Sequence, residues 1–488
     1  MSAQTRPATT AVRVHIVAPA ALGGTAVAVL RARGIDARLG DDATALAALA
    51  DDDASACAFD AIPTGAAAVE LAAVCARGAA AGRPVCVLAP AARGTGRAGI
   101  ERAAALAYLR AHGAAVAHDV DAWLEAIVLL VRHGVPTGPR TAVIAPEGSW
   151  LRAQAHALTA DAEMLGARPP LATGDDGDDT PTAAVLYDPA LGPPRASLPG
   201  MHVPVAPRGE LATDDRALHG GRAAVAAIAM LGRAAERIAI GLGPAPVTAA
   251  AELAIDRDRV ARTLAKLPVP RIGDHDTKLL LAAYGVPITR QGVATTPSAA
   301  VKAARKAGFP VELKPWGNDL PTEPAGCAVE RGVSSDALVR RAYGALLSAL
   351  RGAAATEARG GEDAESDDNG FAVIVREAPP AGRELAVSFV KLPALGWTVV
   401  LDAPGAVQIA AAPAPLRPSD AQALAAAVVA SRAGEPEPDR SGLANLLRRA
   451  SHLVVDLDAR IARLDLPRVV VGGRGARTLV VDAWADTL

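Results

Sequence analysis

The residues with reactive side chains are scattered along this chain. Nine histidines are present, and none lies between His15 and His112. His112, His118, His133 and His156 fall on helical stretches or at their ends and read as surface or core-edge residues. No H-x-x-x-H pair offers a metal site, and no Ser-His-Asp grouping can be read from the spacing. Four cysteines, Cys57, Cys75, Cys86 and Cys327, have no C-x-x-C spacing. They read as buried small apolar residues in a reducing compartment. Two lysine-bearing segments have more pattern. Asp274 to Arg290 reads DHDTKLLLAAYGVPITR, and Arg305 to Lys314 reads RKAGFPVELK. An amphipathic helix ends at Tyr284-Gly285, a short strand starts with Val286-Pro287-Ile288, a second helix follows, and a strand ends on Lys314.

The elements that would hold these residues follow from composition and pattern. A length of 488 residues suggests about three domains. Hydrophobic content is 51%, much of it alanine, with only 3% aromatics. No run of strongly apolar residues is long enough to span a bilayer. The N-terminus lacks the apolar core of a secretory signal. A net charge of -2 with interspersed signs argues against a nucleic-acid partner. These features predict a cytoplasmic protein with no membrane partner.

Short apolar runs at Val12 to Val17, Ala56 to Asp60, Val85 to Leu88, Ala142 to Ala145 and Ala184 to Tyr187 read as strands. Helical stretches separate them: Thr25 to Arg33, Ala66 to Ala80, Gly99 to His112, Trp123 to Arg132 and Trp150 to Met164. This alternation predicts parallel, doubly wound sheets covered on both faces. Breaks fall at Gly134 to Arg140 and at Gly241 to Ala250. Polar loops at Gly174 to Asp179 and Arg359 to Gly370 read as surface insertions, the second as a mobile one.

The two lysine-bearing segments resemble the opening of the ATP-grasp module in ADP-forming acyl-CoA synthetases, relatives of succinyl-CoA ligase. The resemblance extends over residues 12–488. It implies an α/β fold: two flavodoxin-like doubly wound subdomains, then an α+β ATP-grasp domain. The boundaries expected are a disordered tail at 1–11, subdomains at 12–136 and 137–240, a linker at 241–254, and the ATP-grasp domain at 255–488. The family's CoA-binding Rossmann subdomain has no counterpart in the resembling residues.

The resemblance implies roles residue by residue. Lys278 and Lys314 match family lysines, and the strand-borne Lys314 would reach the nucleotide phosphates as a point charge. Glu384, in GRELAVSF, matches a glutamate near the nucleotide. Val373 to Glu377 resembles the hinge strand whose backbone reads adenine. Asp465, in LDLPR, stands for a Mg²⁺-holding acid, and Asp482 matches the closing Val-Asp-Ala. Other positions depart from the pattern. The family's phosphohistidine position is Gly94, so no catalytic residue is assigned. Arg93 to Gly96 reads as a glycine-rich turn or as a residual backbone anion site. The segment Leu320 to Gly326 lacks the family histidine and lysine. In Leu401 to Gly405, Pro404 removes a backbone donor from the phosphate loop.

ATP and Mg²⁺ are therefore the implied cofactors, with CoA not bound by this chain alone. The family reaction joins a carboxylic acid to CoA with ATP, giving acyl-CoA, ADP and phosphate. The missing parts predict a degenerate homologue with a regulatory or scaffolding role. The alternatives are an active ligase with altered acceptor chemistry, or one whose CoA subdomain and histidine come from a partner chain. A homo-oligomer is the other expected assembly.

Overall fold

The computed structural model describes residues 13–40, 54–59, 61–89, 96–154, 162–165, 182–191, 200–208, 216–265, 271–316, 329–358, 372–402, 409–429, 437–473 and 475–488. These fall into two compact units, one drawn from 1–93 with 105–243, the other from 94–104 with 244–488.

The first unit holds two parallel sheets. In the first sheet, β1 (Arg13–Val17), β2 (Asp36–Leu39), β3 (Ala54–Ala58), β4 (Cys86–Leu88) and β5 (Ala115–Ala117) alternate with four helices. The helices are α1 (Ala20–Ala32), α2 (Gly65–Ala80), α3 (Gly96–Ala111, of which 105–111 belong to this unit) and α4 (Val120–Arg132). The strand order is β2-β1-β3-β4-β5, all parallel. The second sheet is built from β6 (Thr141–Ile144), β7 (Ala162–Leu165), β8 (Ala184–Tyr187), β9 (Met201–Ala206) and β10 (Leu218–His219). Its helices are the single turn α5 (Trp150–Ala153) and the long α6 (Gly221–Ile240). Its order, β10-β9-β8-β6-β7, is the same topology read from the other edge. Both sheets are thus flavodoxin-like.

Strands β4, β6 and β8 are buried at every residue, as in sheets covered on both faces. Trp123 of α4 is fully buried, and its indole nitrogen donates to Cys86 O at 2.9 Å. Asp119 caps α4 by accepting from Ala122 N at 2.8 Å. Arg33, which caps the end of α1, forms a buried pair with Glu125 of α4 at 2.7 Å. Glu125 also accepts from His219 N at 3.0 Å, which ties β10 to α4.

One expectation needs correction here. The helix expected from Trp150 to Met164 does not run that far, because Ala162–Leu165 is strand β7, paired in parallel with β6. Alanine-rich composition favours helix locally, but strand pairing outweighs that preference. The strands β2, β5, β9 and β10 were not legible in the sequence.

The second unit is α+β. It comprises α7 (Arg257–Leu264), β11 (Arg271–Ile272), α8 (Asp274–Ala283), β12 (Gln291–Ala294), α9 (Pro297–Ala307), β13 (Val311–Trp316) and β14 (Glu330–Val333). Next come α10 (Asp336–Ala358), β15 (Ala372–Glu377), β16 (Arg383–Leu392), β17 (Gly396–Asp402) and β18 (Ala410–Pro413). The last elements are α11 (Pro418–Val428), α12 (Arg440–Asp456), β19 (Ile461–Val471) and β20 (Leu479–Thr487). A four-stranded antiparallel sheet runs β12-β15-β13-β14, with α9 and α10 supplying its core partners. A six-stranded sheet runs β11-β20-β19-β16-β17-β18, with α8, α11 and α12 packed on one face.

The start of this unit follows the sequence closely. Helix α8 ends at Ala283, and Gly285 takes φ +73°, a backbone angle that favours glycine. Thr296 and Pro297 open α9 as N-cap and first-turn proline. The segment Val286-Pro287-Ile288 is reduced to a single bridge, Ile288 to Val480. Strand β13 runs two residues past Lys314, to Trp316. The 1–11 tail, Gly174 to Asp179 and Arg359 to Gly370 lie outside the described residues. So do Gly94, Cys327, Leu320 to Gly326, and residues 403–405 of the Leu401 to Gly405 loop.

Candidate functional site

The seam between the two sheets of the second unit carries a chain of buried charges. On β13, Glu312 and Lys314 are two residues apart and so share one face. Glu312 lies directly opposite Arg376 of β15 across the antiparallel register. Arg376 is 1% exposed and donates to Glu312 Oε2 from Nε at 3.0 Å. Its Nη1 reaches Asp482 Oδ1 of β20 at 2.6 Å, so it crosses from the smaller sheet to the larger. Lys314, 3% exposed, makes the same crossing: its Nζ lies 2.6 Å from Asp482 Oδ1 and 3.3 Å from Asp274 Oδ1.

Lys278 is fully buried one helical turn after Asp274, 3.2 Å from Asp274 Oδ2. Its ammonium also donates to Thr289 Oγ1 at 3.2 Å, to Gln291 Oε1 at 2.8 Å and to Val481 O. Asp274 in turn accepts from Ala483 N at 2.9 Å. Burial pushes Lys278 down to about 8, against the pull of Asp274. Burial opposes ionisation of Asp482, but Lys314 and then Arg376 hold its carboxyl well below the usual range. Asp274 is lowered in the same way, with burial offset by Lys278 and Lys314.

Glu384 of β16 joins the chain from its exposed end. Arg468 of β19 donates to Glu384 Oε1 from Nε at 2.9 Å and from Nη2 at 2.6 Å. Its Nη1 stands 3.6 Å from Glu312 Oε2. Four cations (Lys278, Lys314, Arg376, Arg468) therefore meet four carboxylates (Asp274, Glu312, Glu384, Asp482). The exposed Arg331 lies a longer 3.7 Å from Glu312.

The structure thus brings together Lys278, Lys314 and Glu384, and places Asp465 elsewhere on the large sheet. Asp465 is buried, accepts from Ser388 Oγ and pairs with Arg463 at 2.6 Å. Arg463 in turn sits 5.7 Å over the Trp484 ring. Among the described residues no group of three or more His, Cys, Asp or Glu could hold a metal ion. A carboxylate already neutralised by a guanidinium is a poor Mg²⁺ ligand, so Asp465 does not fit that role. The strand expected as the hinge has a neighbour on each side. β15 is an interior strand, paired with β12 on one side and β13 on the other. Ala378 N donates to Pro310 O at 3.1 Å, and Pro379 and Pro380 have no N–H.

Sequence reasoning missed Arg376, Arg468 and Glu312. The Asp274–Lys278 spacing of four residues was a readable helix pair. The i, i+2 placement of Glu312 and Lys314 was also readable. The arginines could not be found, because their partners lie 64 to 106 residues away.

Residues 270–485 match the family model described as the ATP-grasp domain. Over 220 residues, 43% of this chain, the sequence is 24% identical to the β subunit of ADP-forming acetate–CoA ligase II of Pyrococcus furiosus, covering 89% of it. Over 225 residues it is 25% identical to ADP-forming 4-hydroxybutyrate–CoA ligase of Nitrosopumilus maritimus, covering 30% of that protein. A solved dinucleotide-forming acetyl-coenzyme A synthetase 1 of Candidatus Korarchaeum cryptofilum is 24% identical, with a TM-score of 0.40. That match covers 48% of this chain and 100% of the other. The second unit is thus an ATP-grasp domain, with weak sequence homology to the ADP-forming acyl-CoA ligases.

Proposed function

We propose that this chain is a catalytically impaired homologue of the ADP-forming acyl-CoA ligases that serves as a regulatory or scaffolding subunit. ATP-grasp domains bind ATP and Mg²⁺ generically. The observation that carries the reading is the pairing of Lys314 with Asp482 and Asp274. A triphosphate would need those carboxylates displaced from a buried position, at the cost of desolvating unpaired charge. Lys278 is likewise spent on four oxygen acceptors. The residues expected to hold Mg²⁺ do not fit it, so no catalytic step through the metal follows.

A second reading is favoured by one observation. The Pyrococcus furiosus relative is a β subunit, and the ATP-grasp half of this chain matches 89% of it. A partner chain could then supply a CoA-binding portion and the histidine. A turnover assay of the chain alone tests the first reading. The chain alone, given ATP, Mg²⁺, CoA and short carboxylic acids, should form no ADP above background and no acid-labile, base-stable phosphate. ADP release coupled to acyl-CoA formation would overturn the proposal.

A further inference from the structure

Helix α12 carries an imidazole that the fold leaves without a hydrogen bond. His452 is 1% exposed, and neither ring nitrogen has a partner among the described residues. One turn before it, Arg448 Nε is buried and likewise without a partner there, while Nη2 donates to Glu252 Oε2 at 2.6 Å. Glu252 closes the 3₁₀ turn Val247–Glu252, which packs against α12. One turn after His452, Asp456 accepts from the Tyr284 hydroxyl of α8 at 2.9 Å and lies 3.9 Å from Arg257 of α7. Arg449 donates to Tyr284 O at 2.8 Å. From the other elements packed on α12, Leu424 of α11, Val399 of β17 and Leu464 of β19 join its apolar core. The charges acting on the imidazole are thus Arg448, Asp456 and Glu252, and both carboxylates already have partners.

We propose that His452 is an acid-sensitive latch: when its imidazole takes up a proton, the 3₁₀ turn Val247–Glu252 is released from α12. A confined imidazolium would have two N–H donors, no acceptor among the described residues, and a second cation one turn away. Water can supply the acceptors only where a packed element lifts. The 3₁₀ turn is the element held least. Val247 is 57% exposed, and the pair with Arg448 ends on a Glu252 side chain that is 69% exposed, where ion pairs add little. Helices α7 and α8 are held to each other, because Asp256 N at the α7 cap donates to Ala283 O of α8 at 2.9 Å. In the closed form burial lowers His452 from its ordinary 6.5, and opening restores that value. The open form therefore binds the proton better. Its population rises as the pH falls below about 6.5 and levels off below the closed-form value.

The test is amide hydrogen exchange of the full chain at about pH 7.5 and about pH 5.5, with rates corrected for the intrinsic chemistry of exchange at each pH. In wild type the amides of residues 247–253 should lose about fivefold in protection on acidification, while those of β19 keep theirs. His452→Leu and His452→Gln should each remove that pH dependence. Glu252→Gln, a change at an exposed side chain, should lower protection of the same amides at both pH values and keep their pH dependence. Wild-type protection at 247–253 that does not change with pH overturns the proposal, whatever the variants do. A pH dependence that survives in a His452 variant, or a loss of protection that reaches β19 to the same extent, would overturn it as well.

Discussion

Lys314 shows how one side chain can match a pattern and still be committed elsewhere. Its place near the end of an apolar strand suits it to a phosphate, yet it forms a buried pair with Asp482 at 2.6 Å. The same network sets an acid limit on stability. Unfolded aspartates take up protons near 3.8, and Asp274 and Asp482 are lowered below that value in the fold. The unfolded chain therefore binds more protons as the pH drops, so these groups stabilise the fold fully above about pH 5. That contribution is lost as the pH falls through the folded values. Buried His452 adds a loss that begins higher. Burial pushes it below its ordinary 6.5, and neither ring nitrogen has a hydrogen-bond partner among the described residues. Urea denaturation should show stability declining from about pH 6 downward, first gently through His452 and then steeply through the two aspartates. In the variant His452→Leu the gentle part should shrink, because burial lowers His112, His219 and His275 as well, and the steep part should remain.

Among the elements, those whose residues bury one face by regular period were legible in the sequence. The helices at Ala66 to Ala80 and Gly99 to His112 begin within three residues of the observed α2 and α3. The short strands β2, β5 and β10 have four residues or fewer, too few to show a period. The single turn α5 before β7 was misread because helix propensity and strand pairing disagree there. Of the candidate site, the lysines were legible and their neutralisation was not, since an ion pair between sheets has no local sequence signature. Helix α4 gives the clearest test of core packing. Trp123 is fully buried among the strands of the first sheet. Trp123→Ala should destabilise the first unit by about 3–5 kcal/mol through the cavity it leaves. The second unit has its own core and should keep its unfolding midpoint, so two transitions should separate in calorimetry. A shift of both together would mean that the units unfold as one.

For the whole molecule, the unit division at Gly243 and Pro244 makes a domain boundary in 241–254 our proposal. Val247 is 57% exposed in this stretch. A broad-specificity protease acting near Val247 should release two folded pieces. Full protection there, or unfolding on cleavage, would count against separate domains. Gly243 N is held by Ala111 O at 2.7 Å and Ala245 N by Pro415 O at 2.9 Å, so cleavage should begin after, not before, these anchors. The account as a whole turns on whether the seam's cations are already spent. Calorimetric titration of ATP·Mg²⁺ into the wild-type chain and into Asp482→Asn measures this directly. The account predicts weak wild-type binding, with Kd of about 1 mM, and binding about tenfold tighter once Asp482 no longer holds Lys314 and Arg376. Micromolar binding by wild type that Asp482→Asn leaves unchanged or weakens would contradict it.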